Sequence, residues 1–417
     1  MDTVIVLFTR DLRVRDHPAL AAACAQARRV VPLFVRDPAV PSGRRAAFLS
    51  DCLRDLRDSL RARGGDLLVR QGDTVAETMR LARETSATAV FMSADVSSLA
   101  RRRRERFARE PIEVRHFPGV TVVPPGLLRP SGDGDHYRVF TPYWRAWSQA
   151  PRRQAAQTPR AVPTPEGLPA GPIPRGVPYG GIKGGETAAR ERMRAWTRRS
   201  LDDYAGLHDD LAGDGTSRLS PYLRFGCLSP LELAGYGNED FVRQLCWRDF
   251  HHQVACAFPD LNRRDYRPRG TAWRSDKDAE QAWREGMTGV PIVDAGMRQL
   301  LAEGWMHNRA RLITAAYLVK HLRVDWRVGY EHFFELLLDG DVANNAGNWQ
   351  WVAGTGNDTR PNRTFNPLRQ ARRFDPEGEY VRRYVPELAG LPATLVHEPW
   401  LLTDGRTGAY PAPLTPL

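Results

Sequence analysis

Four short segments in the C-terminal half of the chain combine residue types that can bind phosphates and stack on flat rings. In the first, Thr216–Ser220, hydroxyl side chains lie next to the guanidinium of Arg218. Hydroxyls and free backbone amides at the start of a helix suit a pyrophosphate group. The same run is also compatible with an ordinary helix N-cap, so this segment alone leaves both interpretations open.

The remaining segments are equally ambiguous when each is taken alone. Asp339 and Asp341 lie two residues apart, which by itself is typical of a solvated loop. Trp247 and Trp351 are two of eleven tryptophans, and a single tryptophan most often serves core packing. An inference about function therefore has to rest on all the segments together and on the helices and strands that position them.

The charge balance favours a polyanionic partner. The formal net charge is +11 over 417 residues, and the pI is near 9.8. On a folded protein such an excess is typical of nucleic-acid binding. An arginine-rich genome composition produces the same excess, so charge alone leaves the partner open.

The cysteines and the N-terminus argue against several classes of site. The five cysteines form no CxxC pair and no Cys/His cluster with metal-ligand spacing, so we expect buried free thiols and no metal. Met1–Val4 shows no basic region followed by a long apolar run, and no apolar stretch is long enough to span a bilayer. We expect a soluble, cytoplasmic protein with no membrane partner.

The N-terminal part alternates apolar runs with helical patterns. The runs predict five strands: Val4–Phe8, Val30–Val35, Leu67–Val69, Ala89–Met92 and Val120–Val123. Continuous apolar strands that alternate with helices predict a Rossmann-like α/β domain with a parallel sheet covered by helices. No GxGxxG motif follows the first strand and no P-loop motif occurs, so this part lacks the usual phosphate-binding loops.

The composition predicts three regions along the chain. Residues 1–128 form the α/β domain, residues 129–190 form a linker rich in proline and glycine, and residues 191–417 form an all-α domain. Helical periodicity in the last region predicts helices over Asp240–Phe258, Pro291–Glu303, Met306–Leu322 and Tyr330–Leu338. Within the linker, His136–Trp147 is too aromatic for a flexible tether, so we expect it to pack against a domain.

Taken together, the segments resemble the flavin-domain signatures of the photolyase/cryptochrome family. Four of them occur in the family's order and spacing: Thr216–Leu223, Cys246–Phe250, Gly304–Arg309 and Asp339–Trp351. Phe8–Arg13 also resembles the family's first strand and turn, so the similarity covers nearly the whole chain. The resemblance implies an α/β antenna domain followed by an all-α domain that binds one FAD.

The resemblance also implies which residues contact FAD. They are Tyr204, Thr216, Ser217, Arg218, Leu219, Ser220, Phe241, Arg248, Asn308, Arg311, Asp339, Asp341 and Asn345. Arg311 should pair with an acidic partner, for which Asp339 is the candidate, and such a pair favours the anionic reduced flavin. Asn345 matches the family position beside flavin N5. Photolyases commonly carry Asn there and plant cryptochromes carry Asp, so Asn345 favours repair.

The implied activity is light-driven repair of cyclobutane pyrimidine dimers in DNA. Excited reduced flavin donates an electron to the dimer, the ring splits and the electron returns. A dimer inside a duplex cannot reach the flavin, so it must be flipped into a pocket. The implied substrate contacts are Gln244, Trp247, Asn308, Arg309, Trp351 and Arg369.

Two further sets of residues complete this expectation. A family relay of three tryptophans, which carries electrons between solvent and the flavin, matches Trp349, Trp326 and Trp273, with Asn345 as the fourth catalytic residue. Phosphate contacts are expected from an arginine cluster that could also be a solvated face: Arg360, Arg363, Arg369, Arg372 and Arg373.

The sequence is also compatible with three different functions. Many dimer photolyases carry a carboxylate where this chain has Gln244, and (6-4) photolyases carry Gln there. The (6-4) enzymes, however, have His-His where this chain reads His307-Asn308. The first alternative is therefore a (6-4) photolyase. The other two are a cryptochrome-like blue-light receptor and a basic DNA-binding domain without catalysis.

The expected partners are few. Damaged DNA is the expected partner, and we expect a monomer with no obligate protein partner. A second, light-harvesting chromophore is compatible with the family. It would be a folate or an 8-hydroxy-5-deazaflavin, and the residues around Asp95–Arg104 do not select one.

Overall fold

The computed structural model describes residues 1–40, 42–213, 215–357, 365–402 and 405–416. Contacts between Cα atoms divide the chain into two compact units. The first unit comprises Met1–Pro178, Ile182–Ala195 and Arg218–Asp260. The second unit comprises Tyr179–Gly181, Trp196–Ser217 and Leu261–Leu417.

The first unit contains one parallel sheet. Its strands are β1 (Thr3–Phe8), β2 (Arg29–Arg36), β3 (Leu68–Gln71), β4 (Ala89–Ser93) and β5 (Glu113–Phe117). They lie in the order β3-β2-β1-β4-β5, so the chain reverses its direction of winding between β1 and β4. Parallel neighbours require crossover connections, which are α1 (Pro18–Gln26), α2 (Ala46–Arg61), α3 (Thr74–Thr85) and α4 (Ser98–Phe107). The predicted α/β class is confirmed.

The sheet forms where apolar residues run continuously. Every residue of β1 is buried, and its side chains share a core with those of β2, β4 and the inner face of α3. Helix α3 begins where Asp73 accepts a hydrogen bond from the amide of Ala76 at 2.9 Å. It ends at Ser86, which adopts a left-handed backbone conformation. Capping therefore defines both ends of this helix, whose inner face packs on the buried strands.

The fifth predicted strand is wrong. The structure places it at Glu113–Phe117, a half-buried edge strand whose polar residues leave no continuous apolar run. Val120–Val123 is buried but irregular. The amides of Val122 and Val123 each donate to the carboxylate of Asp249 at 2.9 Å, so a side chain satisfies them instead of a neighbouring strand.

The remaining helices follow in chain order. They are α5 (Phe140–Gln149), α6 (Glu186–Ser200), α7 (Tyr204–Leu207), α8 (Ser220–Phe225), α9 (Pro230–Ala234), α10 (Glu239–Ala257), α11 (Lys277–Glu285), α12 (Pro291–Glu303), α13 (Asn308–Ala316), α14 (Trp326–Leu336), α15 (Val342–Ala353), α16 (Pro367–Phe374) and α17 (Glu379–Tyr384). Helix α13 continues into a π-helical turn at Tyr317–His321. The regular elements after residue 190 are helices, as predicted for the C-terminal part of the chain.

One tryptophan lies at the centre of the second unit. Trp283 of α11 is fully buried and stacks on Phe333 of α14, with ring centroids 5.9 Å apart. Its ring meets Trp349 of α15 edge-on at 6.0 Å. Its Nε1 donates to the carbonyl of Thr314 in α13 at 3.0 Å. A single indole therefore ties four helices together and satisfies its polar atom while doing so.

The predicted linker, residues 129–190, contains regular structure. Helix α5 lies inside it, and its residues Phe140, Tyr143 and Trp147 are buried. The aromatic segment is thus a packed helix, as expected for His136–Trp147. No helix within the described residues is both long and apolar enough to cross a membrane.

Candidate active site

The ion pair expected near the flavin is present in the second unit. Arg311 of α13 donates from Nη1 to Asp339 Oδ1 at 3.1 Å and from Nη2 to Oδ2 at 2.7 Å. The carboxylate side chain is only 5% exposed, and the guanidinium also donates from Nε to the carbonyl of Met306 at 2.9 Å. Two parallel bonds fix both groups, so the guanidinium is held as a rigid cation.

Asp341 and Asn345 occupy the first turns of α15. Asp341 is the N-cap, and its Oδ1 accepts from the amide of Asn344 at 2.9 Å and from Asn344 Nδ2 at 2.8 Å. Asn345 donates from Nδ2 to the carbonyl of Tyr330 at 3.0 Å. That bond sets the orientation of the amide, so Oδ1 is the end of Asn345 directed away from Tyr330.

The three tryptophans predicted to form a relay lie on connected segments of the second unit. Trp326 opens α14, is fully buried, and donates from Nε1 to Asp265 at 2.9 Å. Trp349 is 2% exposed and packs on α14 at Gly329, where an added Cβ would lie 2.1 Å from the indole. The half-exposed Trp273 precedes Arg274, whose backbone pairs with Val324, two residues before Trp326. Trp326 and Trp349 are thus buried and Trp273 is half-exposed, and their role as a relay remains a prediction.

The start of α13 carries a buried histidine and two candidate substrate contacts. His307 is the N-cap, and its Nδ1 accepts from the amide of Arg309 at 3.1 Å. Burial lowers the pKa of His307 to about 4, so its imidazole is neutral near pH 7. Asn308, the first residue of the helix, is exposed.

Arg309 is bound to other side chains of the second unit. It donates to Asp209 from Nε at 3.2 Å and from Nη2 at 2.6 Å. Its guanidinium also lies 4.2 Å from the ring centroid of Phe374. A phosphate would have to compete with a bidentate carboxylate for this guanidinium, which argues against the predicted DNA contact of Arg309.

Helix α16 presents the described part of the arginine cluster. Arg369 and Arg373 are exposed and four residues apart, so they share one face of the helix. Arg372, also exposed, forms an ion pair with Glu398. Arg360 and Arg363 lie outside the described residues. Trp351, at the end of α15, is half-exposed with its ring 6.3 Å from that of Phe365.

Helix α10 in the first unit carries another group of predicted site residues. Asn238 caps it by accepting from the amide of Phe241 at 3.0 Å. Gln244 is exposed and Trp247, one turn later, is half-exposed. Arg248 donates to the carbonyl of Val120 at 2.6 Å. The exposed turn of α10 therefore presents an amide and an indole side by side.

The residues predicted to hold phosphates form two short stretches, one in each unit. In the first unit, Arg218 adopts a positive φ of 51°, and Ser220 is the first residue of α8 after Leu219 as N-cap. In the second unit, Tyr204 is 9% exposed and meets Trp196 edge-on at 5.8 Å. Thr216 and Ser217 follow in the same unit. The helix start expected at Ser220 is present, and the phosphate-binding role remains a prediction.

Comparisons with known proteins match this arrangement. A family model described as DNA photolyase matches residues 4–166, and one described as the FAD binding domain of DNA photolyase matches residues 241–416. The deoxyribodipyrimidine photo-lyase of Streptomyces griseus is 50% identical, over 100% of this chain and 97% of that protein. The chain belongs to the photolyase/cryptochrome family.

Other members of the family also match over nearly their full length. Cryptochrome DASH of Natronomonas pharaonis is 37% identical, over 98% of this chain and 95% of that protein. The structure of an archaeal photolyase from Sulfolobus tokodaii with two FAD molecules matches with a TM-score of 0.90 and 30% identity, over 99% of this chain and 96% of that one. The FAD-binding domain makes this chain a flavoprotein, and the photolyase domain places it among DNA-repair lyases.

For a family member, the structure adds residues that sequence reasoning missed. Phe140 of α5 stacks in parallel on Trp247, with ring centroids 3.6 Å apart. Asp249, two residues after Trp247, accepts from Trp147 Nε1 at 3.0 Å. Asp265 anchors Trp326 in the second unit. The aromatic run in His136–Trp147 was the available signal for Phe140, whereas spacing gives no signal for the two carboxylates.

Proposed function

We propose that the chain repairs cyclobutane pyrimidine dimers in DNA, driven by light. The orientation of Asn345 carries this proposal. Its Nδ2 is bound to the Tyr330 carbonyl, so the residue offers an uncharged acceptor and no acidic proton. At the family position beside flavin N5, that choice favours repair over the signalling chemistry for which plant cryptochromes carry Asp.

The paired charges of the second unit suit a reduced flavin. FAD, when bound, supplies the photochemical electron. Arg311 is held by Asp339 in a bidentate pair and keeps its side chain 24% exposed, so a cation remains within reach of an anionic ring system. The remaining proposed contacts, from Tyr204 to Asp341 along the chain, hold and orient the cofactor. We propose that the protein positions the flavin and adjusts its electronic properties, while the cofactor performs the redox chemistry.

The proposed lesion contacts are accessible, as DNA binding requires. Gln244 and Asn308 are exposed, and Trp247 and Trp351 are half-exposed. Flat indoles suit stacking on the bases of a flipped-out dimer, and the two amides suit the donors and acceptors at thymine edges. Arg369 contributes a phosphate contact without sequence information. Damaged DNA is the proposed partner of a monomer.

Two competing functions within the family have specific features against them. A (6-4) photolyase shares Gln244, but the second histidine of its helix is replaced here by Asn308, and His307 is buried as a neutral cap. A cryptochrome-like receptor has a relative in its favour, the Natronomonas cryptochrome DASH, but Asn345 is the residue of the repair enzymes. Repair of cyclobutane dimers is therefore the better-supported function.

A second chromophore remains part of the proposal. A cavity of about 170 Å³ in the first unit is lined by residues that follow β4 and β5, including Asp95, Arg101, Arg104 and Thr121. Ligands of open α/β sheets bind at this carboxyl edge, although typical ligand pockets measure about 300–1,000 Å³. The cavity would enclose part of a folate, a deazaflavin or a second flavin, and its lining does not select one.

The test is illumination of the purified protein. The holoprotein, identified by its flavin spectrum, is reduced chemically, mixed with an oligonucleotide carrying one cyclobutane dimer, and exposed to near-UV and blue light. We expect intact thymines in the light and none in a dark control. Repair of a (6-4) oligonucleotide instead would make the chain a (6-4) photolyase, and no repair of either oligonucleotide would favour the receptor.

A further inference from the structure

The indole proposed to stack on the lesion is itself one layer of a stack. Phe140 lies on Trp247 with ring centroids 3.6 Å apart and an interplanar angle of 3°. Phe140 is 6% exposed, whereas Trp247 is half-exposed. Because one face of the Trp247 ring is covered, a base can stack only on the other face.

Helix α5 is fixed to α10 at three points, one turn or two turns apart. Phe140 meets Trp247 and, edge-on at 5.8 Å, Phe250. Tyr143 lies 5.5 Å from the same Phe250 ring. Residues at these spacings share one helix face, so α5 docks on α10 through a single aromatic face that begins at Phe140.

The third attachment is polar and buried. Trp147 donates from Nε1 to Oδ2 of Asp249, which is 1% exposed. The same oxygen accepts from the amides of Val122 and Val123. Since a buried carboxylate without these donors would be costly, Asp249 keeps all three bonds, and the one from Trp147 holds α5 in one register on α10. Phe140 is therefore held against Trp247 by a docked helix and not by a mobile loop.

A cation extends the stack on the Phe140 side. The guanidinium of Arg243 lies 5.6 Å from the ring centroid of Phe140 and 5.7 Å from that of Trp144. Both rings belong to α5, and Arg243 belongs to α10. Cation–π contacts of this kind further restrict the motion of Phe140.

We propose that Phe140 is a positioning residue for lesion recognition, which sets the plane of Trp247 before DNA binds and leaves one indole face for the flipped base. This inference rests on the proposed function, because it assigns a role in binding the dimer. A preorganised indole loses little rotamer freedom on binding. Phe140 therefore adds affinity for damaged DNA only, through Trp247, and none for the phosphate backbone.

The first experiment compares Phe140→Leu with the unaltered holoprotein on dimer-containing and undamaged oligonucleotides of one sequence. Leucine keeps apolar bulk but cannot stack, so we expect about three- to tenfold weaker binding to dimer DNA. Binding to undamaged DNA should change by less than about twofold, since phosphate contacts remain. Phe140→Tyr, which keeps the ring, should restore the affinity for dimer DNA. Equal losses on both oligonucleotides would overturn the proposal.

A matched variant separates ring positioning from helix docking. Tyr143→Leu removes an aromatic contact of the same helix that reaches Phe250 and not the indole. We expect this variant to retain the preference for dimer DNA. A loss of that preference equal to the loss in Phe140→Leu would mean that docking of α5 matters and the stack does not.

A double-mutant cycle supplies the decisive readout. In a Trp247→Ala background, Phe140→Leu should cause no further loss of affinity for dimer DNA, because its effect passes through the indole. An additive loss would overturn the proposal. If Phe140→Leu does not fold, Phe140→Met enters the same cycle. A wild-type protein with no preference for dimer DNA would refute the proposed function itself, an outcome distinct from these.

Discussion

Helix α10 of the first unit and helices α14 and α15 of the second unit carry predicted site residues of opposite character. On α10, Gln244 is exposed and Trp247 half-exposed. On α14 and α15, Trp326 and Trp349 are at most 2% exposed. The same residue type therefore occurs in two environments, and we propose that each environment suits a different task.

The difference follows from what each task requires. A base can stack only on an indole that it can reach, whereas an electron relay benefits from fixed rings that exclude water. The α10 indole is stacked on Phe140 and stays half-exposed, while the indoles of the proposed relay are enclosed and anchored, Trp326 by Asp265 and Trp349 by Trp283 and Phe333. We therefore expect changes in the two regions to affect different measurements.

The largest expected effect is in the proposed relay. Trp349→Phe should abolish light-driven reduction of oxidised FAD, because phenylalanine is much harder to oxidise, while it keeps most of the buried volume. The chemically reduced variant should still repair dimers. Trp283→Phe is the control, since this equally buried indole contacts Trp349 but lies outside the proposed relay. Photoreduction at the wild-type rate in Trp349→Phe would remove the residue from the relay.

The next effect concerns the exposed indoles. Trp247→Ala should weaken binding to dimer DNA by about 5- to 150-fold, corresponding to about 1–3 kcal/mol of stacking. Trp351→Ala should act in the same direction. Binding to undamaged DNA, measured by the same titration, should change much less because phosphate contacts persist. Equal weakening on both DNAs would place the lesion pocket elsewhere.

A pH-dependent effect separates Asp249 from ordinary carboxylates. Burial raises the pKa of Asp249 from 3.8 to about 6. The folded state therefore holds this proton more tightly than the unfolded state, so its contribution to stability falls as pH rises from about 4 to 6. Asp249→Asn does not titrate, and the free energy of unfolding of the variant relative to wild type should rise by about 3 kcal/mol across that range. Denaturant titrations at several pH values measure this difference in unfolding free energy. A difference that does not change with pH would contradict the raised pKa of Asp249.

A smaller effect tests the close packing of the relay. Gly329→Ala would place a Cβ 2.1 Å from the Trp349 indole, so the ring or the helix must shift. We expect a loss of about 1–3 kcal/mol in stability and slower photoreduction. Gly206→Ala is the matched control, because beyond its own chain neighbours and helix backbone no heavy atom lies within 4 Å of the Cβ that it adds. Wild-type stability in Gly329→Ala would show that the relay helices are loosely packed.

The smallest effect is expected at the arginines of α16. Arg369→Ala and Arg373→Ala should each weaken binding to damaged and undamaged DNA alike and lower the salt dependence by about one unit of slope. Arg372→Ala should change the slope less, since its guanidinium is paired with Glu398. Binding isotherms at several salt concentrations distinguish these outcomes. An unchanged slope in Arg369→Ala would assign the cluster to a solvated face.

Much of the fold could be predicted because its signals are local. The apolar runs of β1, β2 and β4 mark buried strands, and the family resemblance implied the Arg311–Asp339 pair that the structure contains. The strand at Glu113–Phe117 was missed because an edge strand needs few apolar residues. Val120–Val123 is the opposite case, a buried apolar run that forms no strand because the amides of Val122 and Val123 bind a distant carboxylate.

The contacts that refine the site were not predictable from spacing. Phe140 and Trp247 are separated by more than a hundred residues, as are the carboxylate of Asp249 and its donor amides Val122 and Val123. Likewise, the sequence position of Arg309 suggested DNA binding, but only the fold reveals that Asp209 holds it. Such pairings depend on tertiary packing, which residue types alone do not encode locally.

The most direct test of the two-region account measures both properties in both variants. Rates of light-driven FAD reduction and the ratio of Kd values for undamaged and dimer DNA are determined for Trp349→Phe and Trp247→Ala. The account predicts a crossed pattern: Trp349→Phe loses photoreduction and keeps the Kd ratio, and Trp247→Ala keeps photoreduction and loses the ratio. Loss of both properties in either variant would contradict it.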